Sequence, residues 1–310
     1  MITKIGELER KIIMERRNQE IIRYYRAAQK GVRAKLMTID VTDFQRYKIQ
    51  KTLTEVNQII RGLDPIAREW SKEAVVYAYK SGVAMSGNEL QKIANILKVD
   101  FDAPIHRSAV NVLADNTTMD FLSANATMMK NIDRFLLTTQ QRLIEDQAIS
   151  KMIAEGIISG ETRRAVSDRI YREFQKRMVD EQFIVINGRH YRPDYYAELV
   201  ARTRTVEAAN QGAINTSLYY ENDLMQVSAH SDACEECQPI QGRVYSISGT
   251  NDDFPALDTI EIPVHPHCRH FLVPVNELIL RERGEYEGLA KISRSQEKIK
   301  TFADYEAALR

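Results

Sequence analysis

Three cysteines and a knot of histidines are where this sequence could do chemistry. Cys234, Cys237 and Cys268 are its only cysteines, and all lie within 35 residues of one another. Cys234 and Cys237 form a Cys-x-x-Cys pair, which in a tight turn can present two thiolates to one tetrahedral ion. Cys268 sits in a second stretch, Pro263-Val264-His265-Pro266-His267-Cys268-Arg269-His270, and four of the six histidines fall between residues 230 and 270. An odd, clustered set does not suit a disulfide framework and points to a metal site. Donors exceed the four that Zn²⁺ needs. In a module this small, with few apolar residues, an ion would supply folding energy that its core cannot. Two readings stay open: a Zn²⁺ site or the relic of one, and a metal-free knot of packed thiols and hydrogen-bonded histidines.

A second chemistry lies at the other end. Residues 1–36 carry ten Lys/Arg against four Asp/Glu. Arg10, Lys11, Arg16, Arg17, Arg23 and Arg26 are candidate contacts to the phosphates of double-stranded DNA. A solvated helix face would look the same. The formal net charge of +0 argues against wholesale wrapping of nucleic acid. Arg189, Arg192, Arg202 and Arg204 form a second basic group, with pairing to Asp194, Glu198 and Glu207 on the same helix as its bland explanation.

Catalysis is not expected. A catalytic zinc keeps an open position and a nearby general base, whereas Glu235 and Glu236 lie within the Cys-x-x-Cys turn, where solvation is the simpler fate. The His-x-Glu…Pro-Cys-x-x-Cys deaminase signature, the phosphate-binding loops and the nucleophile elbow are all missing. No small-molecule substrate is implied. With 44% hydrophobic and 28% charged residues the 310-residue chain reads as an ordinary soluble protein. No apolar run approaches a bilayer span, so no membrane is expected, and the start of the chain lacks the apolar core of a secretory signal. The cytoplasm, or something assembled there, is the expected location.

The elements that must position these residues are mostly helices. Apolar residues at helical spacing predict a helix over 5–35 (Ile5, Leu8, Ile12, Ile13, Ile21, Ile22, Tyr25). A second should start at Thr42 or Asp43 and stop at Gly62. A third opens at Asp64-Pro65, shows Ile66, Trp70, Ala74 and Tyr77 on one face, and ends at Gly82 and Gly87. Further helices are expected over 88–98, 109–147 with a break near Asn116, 148–156 and 163–178. Asn187-Gly188 between short β-like runs predicts a hairpin. Pro193 starts another long helix through Tyr219. Short β-like runs follow at 224–228, 242–247 and 270–275, then a polar helical tail. The fold class is mainly α with a small α+β C-terminal module, a long helical body plus a Cys/His-clamped β-rich module. The expected segments are 1–150, 151–275 and 276–310.

The order of short elements carries a resemblance. Ala201-Arg202-Thr203-Arg204-Thr205 on a helix, Cys234-x-x-Cys237, Gln241-Gly242-Arg243-Val244, a Pro-containing spacer, His265-Pro266-His267-Cys268-Arg269 and Leu272-Val273-Pro274 together resemble the phage Mu F-like head morphogenesis family of minor capsid proteins. The resemblance covers roughly residues 150–275. The family's Cys-Arg-Cys ending is here Cys268-Arg269-His270, and histidine can replace cysteine as a zinc ligand. The favoured ligands are Cys234, Cys237, His265 and Cys268, with His270 as the substitute. The resemblance implies a structural minor head protein inside the phage head at the portal vertex, made in the host cytoplasm. Its implied partners are the portal protein, other head proteins and packaged DNA, and its implied role is head assembly or DNA packaging and delivery. The rival expectation is a zinc-stabilised DNA-binding protein of non-phage origin. The long helices of 1–150 are expected to dock onto a partner through an uncovered apolar stripe.

Overall fold

The structure is a computed structural model that describes residues 2–36, 46–94, 101, 103–145, 155, 159, 162, 165, 184–295, 299, 304 and 305. Its helices are α1 (Ile2–Leu36), α2 (Arg46–Arg61), α3 (Leu63–Trp70), α4 (Val76–Ala94), α5 (Pro104–Glu145), α6 (Pro193–Tyr219), α7 (Glu277–Glu282) and α8 (Tyr286–Arg294). A π-helical turn, Ser71–Val75, joins α3 to α4. The strands are β1 (Ile184–Ile186), β2 (Arg189–Tyr191), β3 (Leu224–Val227), β4 (Val244–Ser246) and β5 (Leu272–Val275). The protein is mainly helical with small antiparallel sheets in its C-terminal part, as the sequence predicts. The expected N-cap at Thr42 or Asp43 and nearly all of the helices at 148–156 and 163–178 lie outside the described residues.

Backbone proximity groups the chain into two compact units, one of Met1–Asn18, Trp70–Thr117 and Leu199–Arg310, the other of Gln19–Glu69 and Thr118–Glu198. In the second unit Ile21, Ile22, Tyr25, Val32 and Leu36 of α1 are buried, as are Val56 and Ile60 of α2 and Phe121, Met128 and Ile132 of α5. A polar ladder crosses this core. The Tyr25 hydroxyl donates to Asn125 Oδ1 at 2.9 Å, and Asn125 Nδ2 donates to Asp64 Oδ1 at 2.8 Å. The apolar stripe of α1 is thus covered by the chain itself from Ile21 onward, while Ile12 stays 51% exposed.

Two sequence expectations fail. Gly82 and Gly87 lie inside α4, and Asn116, exposed to solvent, lies inside an unbroken α5. At Gly82 local punctuation yields to tertiary packing. A Cβ on Gly82 would stand 1.8 Å from the Ala209 carbonyl oxygen of α6, and one on Gly212 would stand 2.3 Å from the Tyr79 carbonyl oxygen of α4. These glycines let two helices approach to backbone contact, where any side chain would hold them apart. The hairpin forms as expected, with Asn187 at φ 50° and Gly188 at φ 75°.

Within the first unit β3 lies between β4 and β5, antiparallel to both, pairing Gln226 with Val244 and with Val273. Alternation along β3 decides its two faces. Leu224 packs with Val244, Phe254, Leu280, Tyr286, Leu289 and Ala290, so α7 and α8 cover one side. Met225 and Val227 pack with Ala213, Tyr245 and Leu272, so α6 covers the other. The polar stretch after residue 276 therefore carries an apolar face that completes the sheet's core.

Candidate metal centre

Two loops leave this sheet and meet. The first joins β3 to β4 and folds over the Cys-x-x-Cys pair as a tight turn. There Cys237 and Gln238 donate their backbone N–H to the Cys234 carbonyl at 3.0 and 3.1 Å, and Ile240 and Gln241 donate to the Cys237 carbonyl, both at 3.1 Å. The second precedes β5 and makes a smaller turn, with Cys268 N–H donating to the His265 carbonyl at 2.9 Å. Where the loops enter and leave the sheet, Ser228 N–H donates to the Phe271 carbonyl at 2.9 Å and Phe271 N–H donates to Ser228 Oγ at 3.0 Å. The sheet's register thereby sets the distance between the two turns.

The turns bring together all five residues expected from the sequence. His265 Nε2 lies 3.1 Å from Cys234 Sγ and 3.2 Å from Cys237 Sγ. Cys237 Sγ lies 3.9 Å from Cys268 Sγ, and Cys268 Sγ lies 3.6 Å from His270 Nδ1. They form two triads that share Cys237: Cys234, Cys237 and His265, and Cys237, Cys268 and His270. A tetrahedral zinc with Zn–S of about 2.3 Å and Zn–N of about 2.0–2.1 Å requires S···S edges of about 3.8 Å and S···N edges of about 3.6 Å. The Cys237–Cys268 and Cys268–His270 separations match these edges. The His265 separations are shorter by a few tenths of an ångström. The donor set and its spacing fit a metal ion, and none of the cysteines is in a disulfide.

Electrostatics agree with that fit. Burial, the hydrogen bond with Cys234 and the neighbouring Cys268 push the Cys237 thiol up. A divalent cation beside Cys237 would supply the charge that favours its thiolate. His270 is pushed down to about 4 by burial and by the nearby His230, His265 and Arg269. It is therefore a neutral imidazole at neutral pH, the form that ligates. Burial, then Lys11 and Arg269, also lower His230.

Other residues hold the cluster in place. His230 stands edge-on to His270 with centroids 4.7 Å apart, and its Nε2 lies 3.0 Å from Ser228 Oγ. Gln241 Oε1 accepts the His230 backbone N–H at 3.0 Å and lies 3.5 Å from His270 Nε2. Asp232 is paired with Arg269 at 2.5 Å. His267 is exposed and outside both triads, and Glu235 and Glu236 are exposed on the turn. The sequence reading placed Gln241 in a motif without giving it a role and did not single out Ser228. A Gln-Gly pair before a strand was the available signal for the first, and nothing local marks the second.

The basic residues have more varied surroundings. Arg10, Lys11, Arg16 and Arg17 belong to the first unit and Arg23 and Arg26 to the second. Arg17 pairs with Glu73 at 3.0 Å and lies over the Tyr77 ring. Arg26 pairs with Asp194 at 3.6 Å, and Arg23 Nε donates to the Gln19 carbonyl of its own helix. Lys11 Nζ lies 6.0 Å from the Phe271 ring centroid, beside the cysteine and histidine cluster. Arg16 is exposed. In the other basic group Arg192 and Arg204 pair with Asp194 and Glu207 as the bland reading has it. Arg202 departs from it and grips Glu15 of α1 with both terminal nitrogens at 2.8 Å. Thr205 accepts from Asn18 Nδ2 at 3.3 Å. The Arg-Thr helix motif thus fastens α1 to α6 within the first unit.

Among the described residues no helix is long and apolar enough to cross a membrane. Residues 14–307 match the model of a protein family described as phage minor capsid protein 2. Searches of curated proteins and of solved structures each gave no match.

Proposed function

The chain belongs to the phage minor capsid protein 2 family and is a structural protein of the phage head, and from that premise we propose that it works at the portal vertex, inside the head, in assembly or in DNA packaging and delivery. The family match carries this reading. It spans nearly the whole chain, including the helical body before residue 150. Other head proteins are its partners, and the portal protein is the one proposed for the helices of residues 1–150. Packaged double-stranded DNA is the proposed partner of Arg10, Lys11, Arg16, Arg17, Arg23 and Arg26. Exposure of Lys11, Arg16, Arg23 and Arg26 supports that contact, and a phosphate would compete with the carboxylate partners of Arg17 and Arg26.

Zn²⁺ is the proposed cofactor, held by Cys234, Cys237, Cys268 and His265, with His270 the alternative fourth ligand. Its role here is structural. The donors suffice to close a tetrahedron, and the carboxylates of the first turn face solvent or Arg269, so no general base is assigned and no catalysis is proposed. When bound, the ion joins the two loops and stiffens the sheet end from which both emerge. A cryo-electron microscopy map of intact heads tests the placement. It should show this protein against the portal, with α1 facing the DNA density. Density confined to the outer surface of the shell would overturn the placement.

A further inference from the structure

The segment Gln241-Gly242-Arg243-Val244 does more than lead into β4. Each of its residues holds the C-terminal end of the chain. Arg243 is only 1% exposed, and its Nη1 donates to the carbonyls of Ile292 and Ser295. Those carbonyls lie at the C-terminal end of α8, where cations are favoured, and the Ile292 carbonyl also accepts the Ser295 N–H at 3.0 Å. Val244 N–H donates to Ser293 Oγ at 2.8 Å. Gly242 adopts φ +73°, and a Cβ there would stand 2.6 Å from the Tyr305 ring. The ring lies against bare backbone, and its hydroxyl accepts from Gln226 Nε2 at 2.6 Å.

Gln241 connects this strap to the metal ligands. Its Oε1 accepts the His230 N–H and faces His270, while its Nε2 donates to the Ile299 carbonyl. Ile299 N–H in turn donates to the Gln238 carbonyl at 3.2 Å. Gln238 is fixed by the Cys-x-x-Cys turn through its N–H to the Cys234 carbonyl. Both partners of Ile299 therefore depend on the conformation that the two cysteines impose. One amide cannot serve His230 and Ile299 together unless its orientation is held.

Resting on the zinc reading above, we infer that metal occupancy decides whether Ile299 and Tyr305 are strapped onto the module. Zinc fixes the turn, the turn positions Gln238 and Gln241, and these hold Ile299. By linkage the strap must strengthen zinc binding by the same factor that zinc strengthens the strap.

Hydrogen exchange read by mass spectrometry on the full chain, zinc-loaded and then chelated under reducing conditions, tests this. Peptides spanning 296–305 should exchange at least tenfold faster after chelation, while peptides of α4 are unchanged. Gln241→Leu should show the faster exchange even when loaded. Tyr305→Ala, which leaves every ligand and the turn intact, should loosen the same peptides and weaken zinc affinity by a matching factor. Equal exchange with and without zinc overturns the inference while leaving the zinc reading standing, provided elemental analysis finds the metal. A loosened Tyr305→Ala strap with unchanged zinc affinity also overturns it. A reduced chain that takes up no zinc overturns both.

Discussion

Cys237 belongs to both triads and is 1% exposed, whereas Cys234 belongs to one and faces solvent. The two should not be equivalent. Purified under reducing conditions, the protein should contain about one Zn²⁺ per chain by elemental analysis, and a metal-free result would end the zinc reading. Cys237→Ser should weaken zinc by more than about 100-fold, because loss of an outer partner alone costs about 10–100-fold. His265→Ala should weaken it more than His270→Ala, since His265 touches two thiols and His270 only one. The reverse order in a competition titration would make His270 the fourth ligand. The cysteines were legible in the sequence because type and spacing alone restrict what they can do. Gln241 was not, because its partner carbonyl lies 58 positions away, and no local pattern distinguishes it from a solvated glutamine.

Among elements, the crossing of α4 and α6 makes the sharpest demand. Gly82→Ala places a methyl against backbone that cannot retreat, and should cost at least about 1–3 kcal/mol. Gly31→Ala is the control. Its Cβ would meet only the Ile59 side chain at 3.4 Å, and alanine favours a helix interior by about 1 kcal/mol. Thermal melts should show Gly82→Ala clearly destabilised and Gly31→Ala neutral or stabilised, and comparable melts would refute the crossing as described. Elements whose signal is local were readable. The hairpin followed from Asn187-Gly188, and α6 from Pro193 at its first position. Gly82 was misread as a stop because a helix-breaking residue and a helix-crossing residue look alike until the partner helix is known. The β4-β3-β5 order was invisible for the same reason.

At the scale of the whole molecule, each compact unit buries a phenol. Burial pushes up the pKa of Tyr25 in one unit and of Tyr79 in the other, and that of Tyr245 is pushed up to about 12. A folded-state value above the unfolded one stabilises the fold below the unfolded value, near pH 10, and that stability is lost as pH rises toward the folded value. Denaturant midpoints should therefore hold up to about pH 9.5 and fall between about pH 10 and 12, and a midpoint flat to pH 12 would contradict the burial of these rings. The long helical body was legible because helical periodicity survives without knowledge of neighbours. The interleaving of three separated segments into the first unit was not, since no residue advertises a partner so far along the chain. That interleaving also sets a clock on synthesis. Asn18 meets Thr205 across 187 positions, and at about 5–20 residues per second the ribosome needs roughly 10–40 s to supply the second after the first. Through that interval Glu15 and Asn18 have no Arg202 or Thr205 to meet, so the start of α1, although made first, cannot settle in the unit until α6 has been made.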